Sequence, residues 1–439
     1  MKKVYIRTLG CEKNTVDSEN AARLLTDAGC VIVNGPENAD VLLVNTCGFI
    51  GDAKKQSIEA IFELNEVKES SGGNKLLIVS GCLTQRYASE LEKELPEADY
   101  ILGVNDYDKL PAIVLGSDVC RVNAGACGST YKELGSRQML TVPWTRSIKI
   151  AEGCANNCSY CIIPKIRGRY RSRREEDILK EARQLAAEGC KELVVIAQDV
   201  TFYGRDLGIT DALPKLLRKL SIIDGIKWIR LMYCYEDEIT DDLIEEIRTN
   251  DKICKYIDIP IQHCSNVILR AMDRKSTHKT IVDTVTKLRK QIPDIAIRTT
   301  LITGFPGERA EQFEELTEFI DSMRFERLGA FSYSREEGTK AAEMKCQVRS
   351  DVKASRLDRV MSLQQRISLE NNTKLIGRVM EVLVEEVEDD GTCIGRTYMD
   401  APDIDNSVIF TGRPGTIPGT FAKVRITDAF DYDLSGEEI

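Results

Sequence analysis

Short apolar runs alternate with helical repeats twice along this chain, and that alternation leaves few choices beyond a layered α/β fold. Val4–Ile6, Val41–Val44 and Leu76–Val79 read as strands buried on both faces, as in a parallel sheet. Ala21, Leu24, Leu25 and Ala28 recur at helical spacing from Asp17 to Gly29, where Gly29 serves as a stop. Ile58, Ile61 and Phe62 mark a second helix, closed by Ser70-Ser71-Gly72-Gly73. The pattern fades between Ser117 and Ser136, a Gly- and Ser-containing stretch read as a linker. It resumes near Ser147 with six runs: Ile148–Ala151, Leu193–Ala197, Trp228–Met232, Ile257–Ile261, Ile295–Ile302 and Leu328–Tyr333. Helical segments such as Asp177 to Glu188 separate them. Six such units fall short of a closed eightfold barrel, so an open partial barrel is expected, with its chemistry at the C-terminal strand ends. Val360, Leu363 and Ile367 mark a helix leaving it. Beyond Lys374, the runs Val379–Val384, Ser407–Phe410 and Ala422–Ile426 between Gly and Pro turns predict a small all-β module.

Composition enters through the cysteines. Fifteen in 439 residues are too sparse for a secreted disulfide scaffold, and an odd number leaves at least one unpaired. No apolar run approaches the length of a membrane span or a signal core, so a cytoplasmic enzyme without a membrane partner is expected. Only His263 and His278 are histidines, which nearly excludes His-rich zinc sites. A net charge of −10 argues against a generic nucleic-acid binder.

Two sets of cysteines stand out. Cys154, Cys158 and Cys161 form a CxxxCxxC directly after the run Ile148–Ala151. Three thiolates this close can converge on one metal centre, and soft sulfur ligands favour an iron–sulfur cluster or zinc. Zinc wants a fourth ligand, and none stands nearby; a four-iron cluster held by three cysteines leaves one iron open. Cys11, Cys47 and Cys82 each follow a predicted strand, at spacings of 36 and 35 residues. One strand–helix unit separates each pair, so all three fall on the sheet edge where α/β folds bind ligands. The other nine cysteines have no partner pattern and read as core thiols.

The CxxxCxxC with Tyr160 at the head of a partial barrel resembles the radical S-adenosylmethionine superfamily. The preceding Cys11–Cys47–Cys82 domain and the trailing β module, called a TRAM domain, resemble its methylthiotransferase branch. Leu9-Gly10-Cys11-Glu12-Lys13-Asn14, Val44–Ile50, Tyr333–Thr339 and Asp400–Asp405 resemble the members that modify a ribosomal protein. Glu236 and Cys264 depart from the family pattern without touching a cluster ligand. The resemblance implies an N-terminal domain over 1–118, a radical core over 136–370 and a TRAM domain over 373–439. It further implies two 4Fe–4S clusters, on Cys154, Cys158 and Cys161 and on Cys11, Cys47 and Cys82, with S-adenosylmethionine as methyl donor and radical source. The implied substrate is an aspartate β-carbon of small-subunit ribosomal protein twelve, free or in the assembled subunit, with an electron donor such as flavodoxin. Methylthiolation of tRNA and a non-catalytic iron–sulfur electron carrier are the competing readings.

Tyr160, Gln198, Asp199, Thr303 and Gly304 are the candidate cofactor contacts; the last two lie in Leu301-Ile302-Thr303-Gly304-Phe305-Pro306-Gly307-Glu308, which ends a barrel strand. No side chain is expected to act as a catalytic acid or base, because the target hydrogen is not acidic. GxGxxG and Walker-type loops do not occur, so nicotinamide and nucleoside triphosphates are not supported. The basic run Lys165–Arg174 reads as counter-charge for the thiolates and cofactor in preference to an RNA-facing strip. His263 reads as a packed histidine. From Lys374 to Ile439, six basic residues face fourteen acidic ones. Such a module repels tRNA, and Asp400, Asp403 and Asp405 are expected to help attract a basic partner.

Overall fold

The computed structural model describes all residues, 1–439. Strands β1 (Lys3–Thr8), β2 (Val31–Val33), β3 (Val41–Thr46), β4 (Leu76–Gly81), β5 (Tyr100–Leu102) and β6 (Val122–Asn123) form a parallel sheet in the order β2-β1-β3-β4-β5-β6. The expected three strands are its centre, with β3 buried along its whole length. Helices α1 (Glu12–Asp27) and α2 (Gly51–Ser70) follow β1 and β3, and the short α3 (Cys82–Arg86), α4 (Ala88–Glu94) and α5 (Leu110–Val114) follow β4 and β5.

Two local expectations are corrected. Helix α1 begins at Glu12, not Asp17. Its first turns carry Lys13, Asn14, Asp17, Ser18 and Glu19, all buried. An apolar periodicity cannot report a helix face that is polar because it meets another domain. The presumed linker likewise contains β6, and just beyond it the buried Arg137 pairs with buried Glu19 at 2.8 Å and with the half-buried Glu181 at 2.7 Å.

The central region begins with β7 (Thr145–Lys149). A two-residue pair, β8 (Ala151–Glu152) with β9 (Arg171–Ser172), closes the base of the loop that holds the CxxxCxxC and α6 (Ile163–Ile166). Then β10 (Glu192–Ile196), β11 (Trp228–Leu231), β12 (Tyr256–Asp258), β13 (Ala296–Thr303) and β14 (Arg327–Ser332) alternate with α7 (Glu175–Ala187), α8 (Ala212–Ser221), α9 (Asp241–Thr249), α10 (Asn266–Ala271), α11 (His278–Gln291) and α12 (Ala310–Met323). The sheets β11-β10-β7 and β12-β13-β14 are parallel and meet through a bridge between Ile229 and Ile253. This is the expected six-stranded open barrel. Leu193 and Val195 pack outward against the helices, while Val194 and Ile196 face a second core inside, as strand alternation requires.

Helix α13 (Ser350–Thr373) leaves the barrel, and β15 (Val379–Val387), β16 (Thr392–Arg396), β17 (Val408–Thr411), β18 (Phe421–Ala429) and β19 (Leu434–Glu438) close a small barrel. The inner core joins that module to Trp228, Tyr256 and Ala296, the first residues of three central strands. The module therefore covers the strand-start end of the central barrel. No helix is long and apolar enough to cross a membrane.

Candidate active site

Adjacent strands assemble the first cysteine trio. Thr46 pairs with Gly81 across β3 and β4, so Cys47 and Cys82 leave neighbouring strands side by side. Cys11 caps α1 after β1, and a Cβ at the adjoining Gly10 would stand 3.3 Å from the Cys47 sulfur. Asn14 laces the three loops together. Its Nδ2 donates to the Leu9 carbonyl at 2.7 Å and the Thr46 carbonyl at 3.1 Å, and its Oδ1 lies 3.7 Å from Cys82 Sγ.

The second trio lies in the loop beyond β8. The Asn156 amide donates to Cys154 Sγ at 3.4 Å, and Tyr235 Oη stands 3.1 Å from Cys158 Sγ. Asn156 Nδ2 also donates to Asp199 at 2.9 Å, which ties this loop to the end of β10.

Both trios face one barrel mouth. After β11, the Tyr233 hydroxyl donates to Glu12 at 2.9 Å, and Lys13 Nζ stands 2.9 Å from the centroid of the Tyr233 ring. Two residues later Tyr235 reaches Cys158. Arg167, just past the CxxxCxxC, donates to Cys82 Sγ at 3.2 Å and Asn14 Oδ1 at 2.7 Å, and pairs with Asp17 at 2.7 Å and Glu152 at 3.2 Å. Lys149 completes the network at 2.6 Å from Asp17 and 2.7 Å from Glu152. Burial alone would raise the Glu152 carboxyl, but Lys149 and Arg167 outweigh it and hold that carboxyl well below the usual range.

The donor set fits iron–sulfur clusters better than single ions. Each trio offers three soft sulfur donors from adjoining segments, and the two histidines, His263 and His278, stand in other parts of the sequence, a donor set that suits an iron–sulfur cluster with one iron left open. Protein donors already aim at the sulfurs, as around a polynuclear centre. Burial pushes the thiols of Cys82 and Cys154 up to about 11, so metal loading has to displace their protons.

The candidate cofactor contacts divide. Thr303 is fully buried and its Oγ1 has no partner. Gln198 Nε2 donates to Glu152 at 2.7 Å, while its enclosed Oε1 is unpartnered. The Gly304 amide is taken by Glu308 at 2.9 Å. Tyr160 stands edge-on to Phe305 with centroids 6.5 Å apart. Asp199 is spent within the protein: beside Asn156, its carboxylate accepts from Thr201 Oγ1 at 2.6 Å and the Phe202 amide at 3.2 Å. Burial pushes that carboxyl up to about 6 against the pull of these bonds. It braces the cysteine loop through Oδ2, which accepts from Asn156 alone.

Other expectations change in tertiary context. Arg167, Arg171 and Arg173 of the basic run are buried; Arg173 pairs with Glu133 at 2.7 Å and Glu181 at 2.6 Å. They are internal struts, and Arg167 alone touches a candidate ligand. Cys120 and Cys346 are exposed and Cys127 half-buried, so the core-thiol reading holds for only six of the nine. His263 is a packed histidine, its Nδ1 accepting from the Cys264 and Ser265 amides at 3.0 Å. The acidic tail departs furthest from expectation. Asp400 pairs with Arg327 at 2.6 Å and Asp405 with Arg298 at 3.2 Å, both buried against the barrel; only Asp403 is exposed. They dock the module and are not free to attract a partner. Asn14, Tyr233, Tyr235 and Arg167 carry no cofactor signature of their own, though the first and last lie inside motifs the cysteines had already marked.

A parallel partial barrel with CxxxCxxC beyond its first strand, fronted by a cysteine-bearing α/β domain, defines a radical S-adenosylmethionine methylthiotransferase. Residues 3–103 match the model of the uncharacterized protein family UPF0004, 148–320 that of the radical SAM superfamily, and 376–439 that of the TRAM domain. The chain is 47% identical to ribosomal protein uS12 methylthiotransferase RimO of Thermoanaerobacter sp., over 100% of both chains. It is 46% identical to the protein of that name from Clostridioides difficile, over 100% of this chain and 99% of that one. The chain belongs to the RimO family. In fold it resembles the radical S-adenosylmethionine methyltransferase TsrM of Kitasatospora setae, with TM-score 0.55 and 15% identity over 77% of each chain.

Proposed function

We propose that this chain transfers a methylthio group to an aspartate β-carbon of ribosomal protein uS12, the protein its relatives are named for. The observation that carries the reading is the Tyr233–Tyr235 segment, which brings the Cys11 loop and Cys158 to one barrel mouth. In this reading Cys154, Cys158 and Cys161 hold one 4Fe–4S cluster and Cys11, Cys47 and Cys82 a second, in domains spanning 136–370 and 1–118, with a TRAM domain over 373–439. Bound there, a cluster and S-adenosylmethionine supply the one-electron chemistry that breaks a C–H bond too weakly acidic for any side-chain base.

The protein's own residues prepare that site. Asn156 and Asp199 fix the loop that presents the three thiolates, and Tyr235 Oη stands 3.1 Å from Cys158 Sγ. Thr303 Oγ1 and Gln198 Oε1, enclosed and unpartnered, supply the polar contacts for S-adenosylmethionine, with Tyr160 and Gly304 beside them. Arg167 offsets negative charge at Cys82. The setting is cytoplasmic, electrons come from a donor such as flavodoxin, and tRNA is not the substrate.

Mass analysis of small-subunit proteins and tRNA from cells with and without the gene tests the reading. The expected result is loss of one methylthio group from uS12 alone. Unaltered uS12 with altered tRNA would overturn the substrate, and failure of the reduced protein to cleave S-adenosylmethionine would overturn the chemistry.

A further inference from the structure

We propose that Cys264, His278 and Glu315 bind one zinc-class divalent cation at a site separate from both cysteine trios. Cys264 Sγ, a His278 ring nitrogen and a Glu315 carboxylate oxygen all lie within 4.8 Å of one another. They come from three segments on the helical wall: the loop between β12 and α10, the first residue of α11, and the second turn of α12. One sulfur, one imidazole nitrogen and one carboxylate oxygen make a borderline-soft set that suits zinc.

The scaffold around the three donors is fixed. The His278 amide is held by Asn266 Oδ1 at 2.8 Å, its neighbour Thr277 forms a capping box with Thr280, and its ring lies edge-on to Phe319 with centroids 5.4 Å apart. His278 Nδ1 is enclosed and makes no hydrogen bond. The nearest Glu315 oxygen is 3.7 Å away, too far for a hydrogen bond. An enclosed, unpaired ring nitrogen is costly, and a cation between the two groups satisfies both. Cys264 is fully buried, whereas the His278 and Glu315 side chains are 38% and 39% exposed. The cluster therefore has a sulfur floor and a solvent side where water completes a fourth position. Cys264 Sγ rests 3.5 Å from the Glu315 carbonyl. Burial first, and then the charge of Glu315, push its thiol up.

The test uses the full chain with its iron–sulfur centres reconstituted, stripped of loose metal by chelator and titrated with zinc chloride. Expected are one retained zinc per chain and a zinc-edge absorption spectrum with a single sulfur among nitrogen and oxygen neighbours. A zinc misplaced on either cysteine trio would show three sulfurs and would overturn the assignment. His278→Ala and Glu315→Gln change half-exposed side chains and should each weaken zinc at least tenfold, with iron content unchanged. Cys264→Ser should remove the sulfur neighbour. Zinc affinity unchanged in folded His278→Ala, or no zinc retained by the parent chain at micromolar concentration, would reduce the cluster to a histidine–glutamate pair beside a core thiol.

Discussion

Arg167 is 2% exposed yet reaches a thiol, an amide and two carboxylates. A guanidinium does this where a lysine cannot, because its planar fork offers five donors at fixed angles. Its bond to Cys82 puts positive charge against the cluster proposed at Cys11, Cys47 and Cys82, which favours the reduced form. Arg167→Gln should therefore lower that cluster's reduction potential by roughly 60 mV, the equivalent of one charge-assisted hydrogen bond of about 1.5 kcal/mol. Arg167→Lys should recover part of the shift. Redox titration followed by electron paramagnetic resonance reads both, and an unshifted potential in a folded Gln variant would remove Arg167 from the cluster's surroundings. The Gln variant also leaves Asp17 and Glu152 sharing Lys149 alone, so it should lose roughly 3–5 kcal/mol of stability.

Strand ends do at the level of elements what Arg167 does at one residue. The cysteine spacings were legible as a site because each spans one strand–helix unit, and parallel register carries Cys47 and Cys82 to one edge. Protein reconstituted under anaerobic conditions should hold about eight irons, as two four-iron clusters require. Replacing Cys11, Cys47 and Cys82 with alanine should leave about four while S-adenosylmethionine cleavage persists. Loss of cleavage with the second cluster intact would end this division of roles. The second loop depends on Gly153, at φ +80°, where a Cβ would meet the Arg169 carbonyl at 2.2 Å. Gly153→Ala faces both left-handed strain and a backbone clash. It should halve the iron by emptying the Cys154–Cys161 loop; full iron content in that variant would show that the loop tolerates a wider base.

Across the whole molecule, the C-terminal module is held by buried charge at the strand-start end of the barrel. Glu192 bonds Arg230 at 2.6 Å and Arg396 at 2.7 Å, all three essentially unexposed. Burial alone would raise the Glu192 carboxyl, but the two arginines outweigh it and lower it to about 2. A carboxyl depressed on folding contributes stability above its ordinary value of about 4.3 and loses it as pH falls toward the folded value. The shift corresponds to roughly 3 kcal/mol. Trp228, edge-on to Phe421 at 4.8 Å, and Trp144, against Gly419, both report this interface. Tryptophan emission should shift to the red between about pH 4.3 and 2 as the module detaches; constant emission across that window would remove Glu192 as the acid-sensitive tie. Asp400→Asn should cost roughly 3–5 kcal/mol by stranding Arg327, whereas Asp403→Asn should stay within about 0.5 kcal/mol. Equal effects of the two in urea unfolding would return Asp400 to the surface role its sequence suggested.

The sequence by itself determined the layers and the six-stranded open barrel, and it marked the two cysteine trios proposed as cluster sites, because strand burial and cysteine spacing are local patterns with fixed periods. Tertiary structure alone decided what the polar residues do. The polar first turns of α1, Arg167, Arg171 and Arg173 after the CxxxCxxC, and Asp400 and Asp405 of the C-terminal module carry no sign of burial along the chain. Each is inside because a charge can be buried once another domain brings its partner. Those partners lie far away in sequence: Asp17 is 150 residues from Arg167, and Arg396 is 204 from Glu192.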